Sequence, residues 1–183
     1  MLSTENRQIL RELAYRSIRH GLSSGTALEI DPAQYPADLQ AMKATFVTLK
    51  RKGELRGCIG ILKPVRPLAG DVAHNAWAAA FSDSRFPPLS ADELDDLDVH
   101  ISILGTPEAI DFDSEDELIQ QIRPDIDGLI LEEGFYRGTF LPSVWESLAD
   151  PREFLNHLKL KAGLPANHWS DQIKVKRYTV EEF

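Results

Sequence analysis

The residues with the most chemistry to offer lie in two short stretches. The first is Leu55-Arg56-Gly57-Cys58-Ile59-Gly60, where a guanidinium and the only thiol of the chain stand two residues apart. Side chains alternate across a strand, so Arg56 and Cys58 are expected on one face, about 7 Å apart at the backbone. A guanidinium beside a thiol favours the thiolate, the nucleophilic form, and Gly57 and Gly60 leave room for a ligand to approach the backbone. The second stretch is Asp83-Ser84-Arg85-Phe86-Pro87-Pro88. A carboxylate at a helix carboxyl end meets the negative pole of the helix, so Asp83 needs a donor such as Arg85 or Arg56. A structural reading fits the same residues: free cysteines are commonly buried, strand glycines mark bulges or close packing, and an Asp–Arg pair braces turns.

A thiol nucleophile needs a base within hydrogen-bond reach, and no histidine stands out as one. His74 falls off the apolar face of its helix and is expected to be solvated. His100 shares a polar strand face with Ser102, while His20 and His157 look like helix-surface residues. There is no HExxH, no paired cysteine and no calcium loop, and the glycines around Arg56 are not followed by GK[ST], so neither a metal nor a phosphate loop is predicted. Asp95, Asp96 and Asp98 read as a solvated charge run. No cofactor is indicated.

These residues must be held by surrounding elements. Residues 1–21 read as an amphipathic helix stopped at Gly21, and residues 22–42, with Pro32 and Pro36, as a surface connection. Residues 44–51 and 55–62 flank Lys52-Gly53-Glu54 as a β-hairpin. A helix starts at Pro67 and ends near Asp83, with Leu68, Val72, Ala76 and Ala79 on one side, and residues 98–104 alternate as a strand. The second half follows the same order. A hairpin over 128–132 and 135–141 turns at Glu133-Gly134, a helix is capped by Asp150 and closed by Gly163, and 172–180 supply a last strand. Gly53-Glu54-Leu55-Arg56-Gly57 aligns with Gly134-Phe135-Tyr136-Arg137-Gly138, which predicts an internal β-β-α-β repeat over about 43–105 and 127–180. Ser114 caps a short helix, through Ile122, between the two units.

The 183 residues carry 20 Lys plus Arg against 29 Asp plus Glu, a net charge of −9. That length suits one domain able to bury a substantial core. The negative charge and the scattered basic residues disfavour nucleic acid. No window approaches the ~20 apolar residues of a membrane span, and a lone cysteine fits a reducing cytoplasm.

The hexapeptide at 55–60, followed by Asp83-Ser84-Arg85-Phe86-Pro87-Pro88, resembles the AMME syndrome chromosomal region family, whose microbial members are called AmmeMemoRadiSam system protein A. Further matches are 97–104 with Ser102, Asp127-Gly128-Leu129, Phe140-Leu141-Pro142-Ser143-Val144, Phe154-Leu155 through Lys161-Ala162-Gly163-Leu164, Trp169 and Arg177-Tyr178, so the likeness spans nearly the whole chain. Asp125 stands where the microbial pattern usually has Gly. The resemblance implies a single domain over 1–183 with an α+β fold, two unequal lobes and a cleft between them, and a functional role for the hexapeptide. Association with Memo-like and radical SAM proteins is implied by the family's system name alone.

Two functions follow as expectations. In the first, a small anionic ligand binds in the inter-lobe cleft, contacted by Arg56, Gly57, Gly60, Arg85 and Ser102, with Cys58 as nucleophile or contact for group transfer or hydrolysis and Asp83 orienting a donor. In the second, the chain is a non-catalytic interaction module. A redox or metal-handling thiol is weaker, because no second soft ligand or resolving cysteine is present.

Overall fold

A computed structural model describes all 183 residues as an α+β fold that divides into two units: residues 1–104 with 181–183, and residues 105–180. No helix is long and apolar enough to cross a membrane.

In the first unit Ser3 accepts a hydrogen bond from the Asn6 amide and opens α1, Thr4–Ser24. This helix runs past the expected stop and ends at Gly25, whose φ of 76° is the left-handed conformation that glycine adopts without strain. Gly21 is instead a packing residue: a Cβ there would lie 2.5 Å from the Phe81 ring and 2.6 Å from that of Trp77. The connection expected over 22–42 holds a 3₁₀ turn, Pro32–Gln34, and one helical turn, α2, Ala37–Gln40, which buries Leu39 completely.

Strands β1, Thr45–Arg51, and β2, Glu54–Gly60, form the predicted hairpin. Its tip places Lys52 at φ 52° and Gly53 at φ 84°, the two left-handed residues that match the twist of a tight hairpin. After α3, Leu68–Phe81, comes a 3₁₀ turn, Ala91–Asp96, and then β3, Leu97–Leu104. The sheet order is β2-β1-β3-β8, where β8 is Val180–Glu182. Ile101 and Phe183 exchange backbone hydrogen bonds of 2.9 and 3.2 Å at that last pairing. The apolar residues of β1 and β3, Val47, Leu49, Val99 and Ile101, join Leu10, Leu13, Val72 and Ala76 in one core.

The second unit contains β4, Glu108–Ile110; α4, Glu115–Gln121; β5, Gly128–Glu133; β6, Tyr136–Phe140; α5, Pro151–Ala162; and β7, Lys174–Tyr178. Its sheet order is β4-β7-β5-β6, and its core gathers Leu129, Leu131, Trp145, Phe154 and Leu158. Caps at Ser114, Asp150 and Gly163 bound the helices as the sequence indicates. Asp125 has φ 64°, a left-handed turn position that Asp tolerates better than most residues. In each sheet the first hairpin strand is interior, flanked by its hairpin partner and by the strand that follows the helix. The predicted last strand, 172–180, contains β7, while β8 runs on beyond it into the other sheet, and β8 and β4 are elements the sequence did not reveal.

Candidate functional site

Strand β2 lies at the edge of its sheet, so one row of its backbone groups has no neighbouring strand. Asp83 and Arg85 serve that row at Cys58. Asp83 Oδ2 accepts from the Cys58 amide at 2.9 Å, and Arg85 Nη2 donates to the Cys58 carbonyl at 3.4 Å. The two side chains also grip each other: Arg85 Nε reaches Asp83 Oδ1 at 2.9 Å, and Nη2 reaches Oδ2 at 2.6 Å. The Asp83 side chain is only 5% exposed, against 54% for Arg85. The Arg85 hydrogen bonds, joined by the Cys58 and Arg85 amides, outweigh desolvation and hold the Asp83 carboxyl well below the usual carboxylate range. Arg85 is raised, chiefly by Asp83, with a smaller contribution from Cys58. The donor that Asp83 orients is therefore Arg85, not Arg56.

Arg56 departs from the expected arrangement. The β1–β2 register shifts between Leu49, opposite Gly57, and Lys50, opposite Leu55, so Arg56 sits in a bulge and strict alternation with Cys58 is interrupted. Its guanidinium is buried and forked onto Glu93, with Nε to Oε1 at 2.8 Å and Nη2 to Oε2 at 2.9 Å; Nη2 also donates to the Pro87 carbonyl at 3.0 Å. Glu93 receives the Ser90 amide and hydroxyl as well, at 3.0 and 3.1 Å. The Arg56 hydrogen bonds, against opposing desolvation, bring the Glu93 carboxyl down to about 2. Of the clamp expected beside Cys58, the Arg56 Nε and Nη2 atoms are taken by Glu93, whereas Nη1 is buried with no hydrogen-bond partner. Glu93 escaped the sequence reading, although Ser90-Ala91-Asp92-Glu93 has the spacing of a capping box that would have marked it.

Gly57 and Gly60 are closely packed on the side where a side chain would stand. A Cβ at Gly57 would fall 2.1 Å from the Ala79 carbonyl oxygen, and one at Gly60 would fall 2.3 Å from the Phe46 ring. These glycines let α3 and the Phe46 side chain close onto the strand. Ser102, opposite Phe46, donates to Glu182 at 3.1 Å.

Cys58 pairs with Thr48, which in turn pairs with His100 on the far side of β1, so the three residues form a row across β2, β1 and β3. The thiol is half-buried and accepts a hydrogen bond from Thr48 Oγ1 at 3.2 Å. At about 4.8 Å per strand, His100 lies two strand spacings away, beyond hydrogen-bond reach of the sulfur. The Phe86 ring receives both guanidinium groups, Arg56 at 5.8 Å and Arg85 at 5.5 Å from its centroid. His74, expected in solvent, is half-buried, with its ring 6.0 Å from that of Trp77. No three His, Cys, Asp or Glu side chains gather into a group that could hold a metal.

The fold and this braced hairpin define an α+β protein with two four-stranded sheets and a Cys58–Asp83–Arg85 corner on the edge of the first. The AMMECR1 family model matches residues 11–183, and the chain belongs to the AMMECR1 family. It is 38% identical over 184 residues to a protein of Methanothermobacter thermautotrophicus, covering 100% of this chain and 95% of that one. It is 41% identical over 173 residues to a protein of Thermotoga maritima, covering 93% and 94% respectively. The solved structure of uncharacterized protein PH0010 from Pyrococcus horikoshii is similar, with a TM-score of 0.89 at 37% identity over 99% of this chain and 92% of that one.

Proposed function

We propose that the Cys58–Arg85 corner binds a small anionic ligand. The observation that carries this reading is the state of Arg85: its side chain is half exposed and held in orientation by Asp83, and its Nη1 makes no hydrogen bond within the molecule. A fixed guanidinium with donors to spare is suited to carboxylate or phosphate oxygens. Cys58 is a contact of the bound anion. The Asp83 oxygens are taken by Arg85 and the Cys58 amide, and Thr48 donates to the sulfur rather than accepting from it, so the corner supports binding better than it supports thiol-dependent group transfer or hydrolysis.

Thermal-shift screening of a small-anion panel against wild type, Arg85→Gln and Cys58→Ala tests this. Stabilisation of wild type that is abolished in Arg85→Gln is the expected result, since a ligand that binds only the native state raises stability. Equal shifts in all three proteins would remove the corner as the site.

One observation favours a second reading, that of a non-catalytic interaction module. Most polar groups of the motif satisfy one another, as a structural brace would require. A Memo-like or radical SAM protein is then the proposed partner. Co-purification that survives in Cys58→Ala and Arg85→Gln would support it.

A further inference from the structure

A groove within the first unit encloses about 600 Å³ between α3 and the segment that follows α1. That is the size of sites that hold small organic molecules. Leu28 and Ile30 supply apolar wall, Trp77 and His74 supply rings, and Arg66 and Gly70 line the end near the start of α3. It shares no lining residue with the Cys58–Arg85 corner.

The chemistry of the lining selects the ligand. Arg66 makes one hydrogen bond, a long one of 3.4 Å from Nη1 to Asp71 Oδ1, and its side chain is 38% exposed, so most of its five N–H donors are unused. Asp71 is fully buried and gives one oxygen to Thr45 and Asn75, so it competes for Arg66 through the other oxygen alone, at that long distance. Nothing lies within 4 Å of a Cβ placed on Gly70, so the backbone there is open to close approach. His74 makes no hydrogen bond in the molecule, and burial, reinforced by Arg66, lowers its basicity, which leaves a neutral ring beside Trp77. Glu29 stands at the exposed rim, where solvent and salt screen its charge.

We infer that this groove binds a planar aromatic ligand bearing a phosphate or carboxylate, with the ring against Trp77 and His74 and the anionic group on Arg66. Apolar ring burial and a charge-assisted fork together give more than either alone.

The chain has three tryptophans, so protein labelled with 5-fluorotryptophan gives three ¹⁹F resonances, and Trp77→Phe assigns the one of interest. Phenyl phosphate is the probe, with phenol and inorganic phosphate as ring-only and charge-only controls. The expected result is a saturable shift of the Trp77 resonance alone, with phenyl phosphate binding about ten-fold or more tighter than either control and weakened by a similar factor in Arg66→Gln. No saturable shift at Trp77, or phenol binding as tightly as phenyl phosphate to wild type, would overturn the inference whether or not Arg66→Gln folds. Failure here leaves the Cys58–Arg85 reading untouched.

Discussion

Asp83 Oδ2 lies 2.9 Å from the backbone nitrogen of Cys58, so a side chain at the end of α3 takes the place of a neighbouring strand on the open edge of β2. Arg85 completes the imitation by donating to the Cys58 carbonyl. An edge strand closed in this way is fixed in position and blocked from pairing with other chains at that residue.

Asp83→Ala strips the Cys58 amide of its acceptor and frees Arg85, and it is expected to cost about 2 kcal/mol. Asp83→Asn keeps one acceptor oxygen but sets an NH₂ against the donors that meet the other, either Arg85 or the Cys58 amide, so it too should cost about 1 to 2 kcal/mol. Urea denaturation followed by circular dichroism measures both; an Asp83→Ala protein as stable as wild type would mean that these contacts contribute nothing.

Arg56→Ala leaves the buried Glu93 with only the longer 3.3 Å contact to Arg51 and its Ser90 hydrogen bonds, and should cost about 2 kcal/mol. Arg56→Lys should recover little of this, because an ammonium cannot reproduce the two parallel bonds to Glu93. A lysine variant as stable as wild type would show that the fork is unimportant.

Glu93 also sets an acid limit. Its carboxyl is depressed to about 2 from an ordinary value of 4.5, so its stabilisation is present above about pH 4.5 and is lost as pH falls toward 2. Asp83 is depressed as well and acts in the same direction. Stability measured from pH 6 to pH 2 should fall less steeply in Glu93→Gln than in wild type, and parallel curves would contradict the assignment.

Gly57→Ala must move a helix carbonyl that would sit 2.1 Å from the new carbon, whereas Gly25→Ala meets no atom within 4 Å and suffers only from its φ of 76°. The first should cost about 3 kcal/mol or prevent folding, and the second about 1 kcal/mol. Comparable losses would show that α3 yields easily.

What the sequence disclosed follows from what is local. The hairpin tip at Lys52-Gly53, the caps at Ser3, Ser114 and Asp150 and the stop at Gly163 each act through neighbours in the chain; the Ser3 cap could have been read but was not. The bulge at Arg56 could not be read, because it arises from register against β1, and alternation carried through it placed Arg56 beside Cys58. Gly21 looked like a helix stop because its real constraint, the rings of Trp77 and Phe81, lies more than fifty residues along the chain. The pairing of Asp83 with Arg85 was available from their spacing. Its grip on the Cys58 backbone was not, since it depends on where α3 ends against β2.

The central claim is that Arg85, rather than Arg56, sets the charge beside an accessible Cys58. With a single cysteine in the chain, the native protein can be treated with a dianionic aromatic disulfide and, separately, with a neutral one, and the ratio of the two modification rates compared between wild type and Arg85→Gln. The account predicts that the anionic reagent loses several-fold of its relative rate when Arg85 is removed, as expected for losing one nearby positive charge. A native thiol that reacts with neither reagent, or a ratio that Arg85→Gln leaves unchanged, would contradict it.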